Sequence, residues 1–100
     1  MEKLKNETKN KEKLCEVPKF AVIFYNNDFT PMEFVVVALN QIFNKNLSEA
    51  ESVMMEIHKK GSAVVGRYIS DVAEFKKDEV KQLEKTLLDQ DYLEIEIVEE

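Results

Sequence analysis

KFAVIFYN, Lys19 to Asn26, carries β-branched and aromatic side chains at both odd and even positions. A strand on the surface alternates apolar with polar residues, so this one must be covered on both faces or lie inside a sheet. Two further segments have strand character. SAVVGRYI, Ser62 to Ile69, is β-rich but alternates poorly, and its Gly66 marks a bulge or a close backbone approach. YLEIEIVEE, Tyr92 to Glu100, sets Leu93, Ile95 and Ile97 against glutamates, the pattern of a half-buried strand with a solvated outer face.

Helical patterns fill the intervals. TPMEFVVVALNQIF is expected to start with Thr30 as N-cap, Pro31 at N1 and Glu33 closing a capping box, stapled by Phe29 and Phe34. Its buried stripe is Val35, Val36, Leu39, Ile42 and Phe43. LSEAESVMMEIHKKG repeats the logic, with Ser48 as N-cap, Glu51 at N3, an apolar face of Ala50, Val53, Met54 and Ile57, and Gly61 as the stop. SDVAEFKKDEVKQLEKTLLDQ spaces Val72, Phe75, Val80, Leu83 and Leu87 as a third helix.

The order β-α-α-β-α-β implies an α+β fold, a single small domain with a three-stranded antiparallel sheet and its helices on one side. Residues 19–100 are expected to form this core. Residues 1–18, MEKLKNETKNKEKLCEVP, are expected to be a flexible N-terminal arm, since Lys, Glu and Asn with two isolated leucines bury too little to offset ordering entropy.

Charge narrows the function. The net charge is −6, and residues 1–17 carry five Lys against four Glu, which leaves nine basic and sixteen acidic residues for 18–100. Nucleic-acid binding draws its affinity from Lys and Arg on phosphates, so DNA and RNA are poor partners and an amine-bearing ligand is a better one. Cys15 is the single cysteine, which points to a reducing, cytoplasmic setting, and no segment has the apolar length of a membrane span. With one histidine, His58, a multi-His metal site is excluded, and two glycines cannot build a glycine-rich phosphate loop. No cofactor is expected.

Asn26, Asn27 and Asp28 crowd together between the first strand and the first helix. Such residues serve as turn formers, because their side chains hydrogen-bond nearby backbone. They also read as chemistry. A primary ammonium offers three donors, and Asn26, Asp28 and His58 together present an amide oxygen, a carboxylate and an imidazole nitrogen that would accept them. If the strand–helix junction lies beside the end of the second helix, Thr30, Met32, Val35, Met54 and Ile57 would make an apolar slot next to that cradle. An amine head with an apolar side chain is the first residue of a peptide.

Three stretches carry a resemblance to a known family. NNDFTPMEFVV, Asn26 to Val36, MMEIHKKGSAVVG, Met54 to Gly66, and AEFK, Ala73 to Lys76, resemble in order the N-D-D-x-T-P-M-E-F-V-V, M-x-x-V-H-x-x-G-x-A-x-x-G and A-E-T-K segments of ClpS, over residues 20–90. ClpS is the adaptor that hands N-degron substrates to a ClpA-type AAA+ unfoldase and its protease. The resemblance implies binding without catalysis. Asn26, Asp28 and His58 would hold the α-amine of a substrate that begins with Leu, Phe, Tyr or Trp; Thr30, Met32, Val35, Met54 and Ile57 would line the side-chain pocket, with Met32 as gatekeeper. Asp71, Glu74 and Lys76 match the region that docks on the unfoldase's N-terminal domain, and the adaptor would be a monomer with no membrane partner. Three departures stand out: Asn27 replaces the first Asp of N-D-D, Phe75 replaces the Thr of A-E-T-K, and the tail Tyr92 to Glu100 does not align with the family's P-L-x-C-type ending, so no pocket residue is assigned from it. A competing expectation is an interaction domain resembling the C-terminal domain of the ribosomal stalk protein, which shares the element order without the Asn, Asp and His combination.

Overall fold

The both-parity apolar strand takes the centre of the sheet. The computed structural model describes residues 17–100 and gives β1 (Phe20–Tyr25), α1 (Met32–Gln41), α2 (Leu47–Lys60), β2 (Ser62–Tyr68), α3 (Ser70–Leu88) and β3 (Glu94–Glu99). The strand order is β2-β1-β3, with both pairings antiparallel. The expected arm falls on 1–18, and its first sixteen residues lie outside the described part of the chain.

Val22 and Phe24 of β1, Ala63 and Val65 of β2 and Ile95 of β3 contribute one sheet face to the core, against Phe34, Leu39, Ala50, Ile57 and Val80 from the helices. The opposite parity of β1 is sheltered by its two neighbours, so that Ala21 is only 2% exposed. Register slips between Val22, opposite Gly66, and Ile23, opposite Val64, which makes Val65 the extra residue of a bulge. Gly66 is needed beside it, because a Cβ there would stand 2.6 Å from the Tyr68 ring.

Helix entries differ from the sequence expectation. α1 begins at Met32 with Pro31 as a cap that has no side-chain hydrogen bond, so the Thr30–Glu33 capping box does not form. Asn27 organises the approach to the helix instead, its Oδ1 accepting from the backbone N–H groups of Phe29 and Thr30 at 2.7 and 2.9 Å. Phe29 packs not as a staple on Phe34 but against Tyr92, the two rings tilted by 41° with centroids 5.1 Å apart. α2 starts two residues earlier than expected, on a capping box of Asn46 and Glu49 in place of Ser48 and Glu51. Its end is as read, with Gly61 at φ 95° donating to the Ile57 carbonyl.

α3 is rotated relative to its expected face. Val72, Phe75 and Leu87 are exposed, while Ala73, Val80 and Glu84 are buried. Small Ala73 allows close approach to the sheet, and a buried Glu is invisible to an apolar-spacing rule. Among the described residues no helix is long and apolar enough to cross a membrane.

Candidate functional site

β1 and β2 pair as far as Tyr25 and Ser62, so the next residues out on each strand meet. The Asn26 backbone N–H donates to the Gly61 carbonyl at 2.9 Å. Gly61 caps α2, and His58 lies in the last turn of that helix. The loop that carries Asn26 and Asp28 is thereby set against the helix end that carries His58, although 32 residues separate Asn26 from His58 in the sequence. All three side chains are exposed to solvent. Among the described residues none of these side chains has a hydrogen-bond partner. The α2 C-terminus favours positive charge near its unsatisfied carbonyls, and Lys59 and Lys60 share that turn.

Asn27 resolves the turn question. Besides accepting from two backbone donors, its Nδ2 donates to Thr30 Oγ1 at 2.9 Å and to the Tyr92 carbonyl at 3.3 Å. An aspartate has no proton to give at either contact. One residue of the polar trio therefore builds the turn, and its two neighbours have no side-chain hydrogen-bond partner among the described residues.

The apolar residues divide by depth. Val35 and Ile57 are buried, at 7% and 4% exposure, and belong to the core. Thr30 and Met54 are half-buried, while Met32 stands 41% exposed at the start of α1. Met32 and Met54 face a groove of about 620 Å³ between α1 and α2, which Glu33, Val36, Val37, Glu51 and Met55 complete. Val35, Ile57 and Thr30 are not among its lining residues. The groove's lining of Val36, Val37 and Met55 was hidden in the sequence, because valines on a helix read as core by default.

Asp71 and Glu74 are exposed at the start of α3 beside Ile69, Val72 and Phe75. Lys76 turns away from them. Its Nζ donates to the Ile42 carbonyl at 2.7 Å and lies 5.9 and 5.3 Å from the ring centroids of Phe43 and Tyr68. Of the three charges expected at a docking surface, two are available to a partner and one joins α3 to the end of α1.

Sequence reasoning overlooked the segment after α3. Gln90 donates to the Phe29 carbonyl at 2.9 Å, and Tyr92 receives Asn27, so residues 90–92 brace the Asn26–Thr30 loop from the far side. The only signal was the aromatic Tyr92 before an alternating strand.

Residues 15–89 match the family model described as ATP-dependent Clp protease adaptor protein ClpS. An adapter protein ClpS of Treponema denticola is 52% identical over 62 residues, which is 62% of this chain and 61% of that protein. One from Wolinella succinogenes is 46% identical over 78 residues, 76% of each chain. In structure, the chain is similar to Agrobacterium tumefaciens ClpS2 bound to L-phenylalaninamide, with a TM-score of 0.77 and 34% identity over 85% of this chain and all of that one. The matched residues take in the Asn26 loop and the α2 end that it meets, and with three quarters of its length matched the chain belongs to the ClpS family of ATP-dependent Clp protease adaptors.

Proposed function

We propose that this adaptor captures proteins by a free N-terminal amine and a bulky apolar first side chain, and delivers them to a Clp AAA+ unfoldase for degradation. Asn26, Asp28 and His58 accept the three donors of the ammonium. Of the five pocket candidates, Met32 and Met54 receive the side chain, with Met32 at the mouth, while Thr30 borders the cradle and the buried Val35 and Ile57 back the slot from the core. The observation that carries this reading is the Asn26–Gly61 hydrogen bond, which draws a carboxylate-bearing loop and a histidine-bearing helix end to one place. The ligand of the similar ClpS2, L-phenylalaninamide, supports it, since it offers a free amine beside a benzyl group.

Two contributions of different character then combine. Burial of a Leu or Phe side chain contributes roughly 1.5–3 kcal/mol, and a charge-assisted hydrogen bond contributes about 1.5–3 kcal/mol. Neither suffices alone. Acetylation of the amine removes the charge and leaves a single amide N–H in place of three ammonium donors, so the three acceptors can no longer all be met. A β-branched first residue meets Met32 with its extra methyl. The adaptor works by binding, without a chemical step, in the cytoplasm as a monomer, and Asp71 and Glu74 with the exposed Phe75 beside them form the face offered to the unfoldase's N-terminal domain.

Fluorescence anisotropy on three peptides differing only at the N-terminus tests the site. The Leu-initiated peptide binds, while its acetylated form and a Val-initiated form bind at least tenfold more weakly. Equal affinity for the three would remove the amine cradle and the side-chain pocket together.

A further inference from the structure

Glu84 is the only charged residue among the described residues with no solvent exposure. It lies on α3 along the face that also buries Ala73 and Val80. A buried carboxylate is costly unless its oxygens are satisfied, and an apolar side chain of similar size would fill the same space more cheaply. What satisfies Glu84 is the connection to β3. Its Oε2 accepts from the Tyr92 and Leu93 backbone N–H groups at 2.9 and 3.1 Å and from Gln90 Nε2 at 3.2 Å. Its Oε1 lies 3.6 Å from Lys81 Nζ, one turn earlier on the helix.

The groups that Glu84 holds are the same ones that hold the binding loop. Gln90 Nε2, drawn to Glu84, also donates to the Phe29 carbonyl at 2.9 Å. Tyr92, fixed by its N–H on Glu84, offers its carbonyl to Asn27 Nδ2 at 3.3 Å and its ring to Phe29. Phe29 and Asn27 flank Asp28, and Asn27 follows Asn26.

We propose that Glu84 is a positioning residue for ligand recognition: from inside the core it fixes Gln90 and Tyr92, which in turn set the loop that presents Asn26 and Asp28. It touches no ligand itself. The inference rests on the amine-binding role proposed for that loop. A structural role alone would require only that the α3–β3 connection be closed; here the closing group reaches the binding loop through two separate hydrogen-bonded arms.

The test compares Glu84→Gln and Gln90→Ala with Val80→Ala, a core truncation on the same helix that does not reach the loop. Affinity for the Leu-initiated peptide is measured at a temperature where each variant is folded, with melting temperatures and backbone amide NMR shifts recorded on the free proteins. Glu84→Gln is expected to bind at least tenfold more weakly and Gln90→Ala three- to tenfold more weakly, the latter with little change in melting temperature. Val80→Ala is expected to lose as much thermal stability as Glu84→Gln and to keep its affinity within twofold. Amide shifts of Asn26, Asn27 and Asp28 should move in the first two variants and stay in the third. Affinity losses that track melting temperature across all three, or unmoved loop shifts in Glu84→Gln, overturn the proposal. Should Glu84→Gln fail to fold, Gln90→Ala decides. Should the wild-type protein bind no peptide, the amine-binding reading fails by itself, and the loop shifts of the free variants still decide the coupling.

Discussion

Lys76 Nζ lies 2.7 Å from the Ile42 carbonyl, so a side chain of α3 supplies the positive charge that the end of α1 lacks in its own last turn. The unsatisfied carbonyls of a helix C-terminus attract a cation, and two aromatic rings beneath this ammonium add to the attraction. Replacing Lys76 with Met keeps the stem and removes the charge. A loss of about 1–2 kcal/mol is expected in denaturant unfolding, with affinity for a Leu-initiated peptide unchanged.

That pairing separates two roles within one short stretch. Phe75→Ala changes a ring that is 62% exposed and should leave the melting temperature nearly constant while weakening association with the unfoldase's N-terminal domain severalfold. Pull-down titration with that domain checks it. Unchanged association would move the docking face elsewhere.

Asn27 provides a graded series. Alanine there leaves the Phe29 and Thr30 N–H groups without their acceptor and removes both donated bonds, at a cost of about 1–2 kcal/mol. Aspartate keeps the acceptor and loses only the donations, so the expected order of stability is Asn, Asp, Ala. Chemical denaturation gives the ranking directly, and a ranking with Asp above Asn would show that the donations to Thr30 and Tyr92 are weak.

The two glycines differ in why they resist substitution. Gly61→Ala meets no atom within 4 Å, but at φ 95° its cost is conformational, about 1–2 kcal/mol. Gly66→Ala has an ordinary backbone and a collision with the Tyr68 ring, worth roughly 1–3 kcal/mol unless that ring swings aside. Near-UV circular dichroism should report the displaced tyrosine in Gly66→Ala and remain native in Gly61→Ala.

Two titrating groups set opposite limits on stability. Tyr25 is raised above its ordinary value, chiefly by its hydrogen bond to Glu96 and then by burial and by the charges of Glu96 and Glu94. Its stabilisation is complete below pH about 10 and is lost as pH climbs through the higher folded value. Asp91 is lowered by its hydrogen bond to Lys81 and by that residue's charge. Its contribution is present above the usual carboxylate range and disappears as pH falls through the lower folded value. Melting curves across pH should show Tyr25→Phe making the alkaline side shallower, with the part due to the burial-raised Tyr68 remaining, and Asp91→Asn making the acid side shallower, each leaving the other limb intact.

The element order was legible because β-rich and helix-patterned segments alternate along the chain with capping residues and glycine between them. Lys19–Asn26 was apolar on both parities and became the inner strand; Ile95 and Ile97 alternated with glutamates and became an edge strand with one face in the core, while Leu93 stayed in the connection before it. Cap positions were harder to read. Asn27 and Thr30 both suit the entrance to α1, and Asn46 and Ser48 both suit that of α2, so the choice fell to bonds that a local pattern does not rank. Asn26, Asp28 and His58 stood out because their chemistry was unusual for the place, and the structure sets the loop of the first two against the helix end that carries the third. Glu84 did not stand out, since its partners come from a loop six to nine residues further on and its helix neighbours look like any solvated face.

The sheet order has a consequence for how the molecule is made. β1 leaves the ribosome first and lies between two strands that come later, one of them bringing Glu94 opposite Tyr25. Until β3 emerges, β1 can pair on one side alone, and its other edge offers unsatisfied amide groups to any passing chain. A nascent adaptor therefore keeps at least one bare edge on β1 until β3 is made, and a pause placed just before β3 should raise its demand for chaperones.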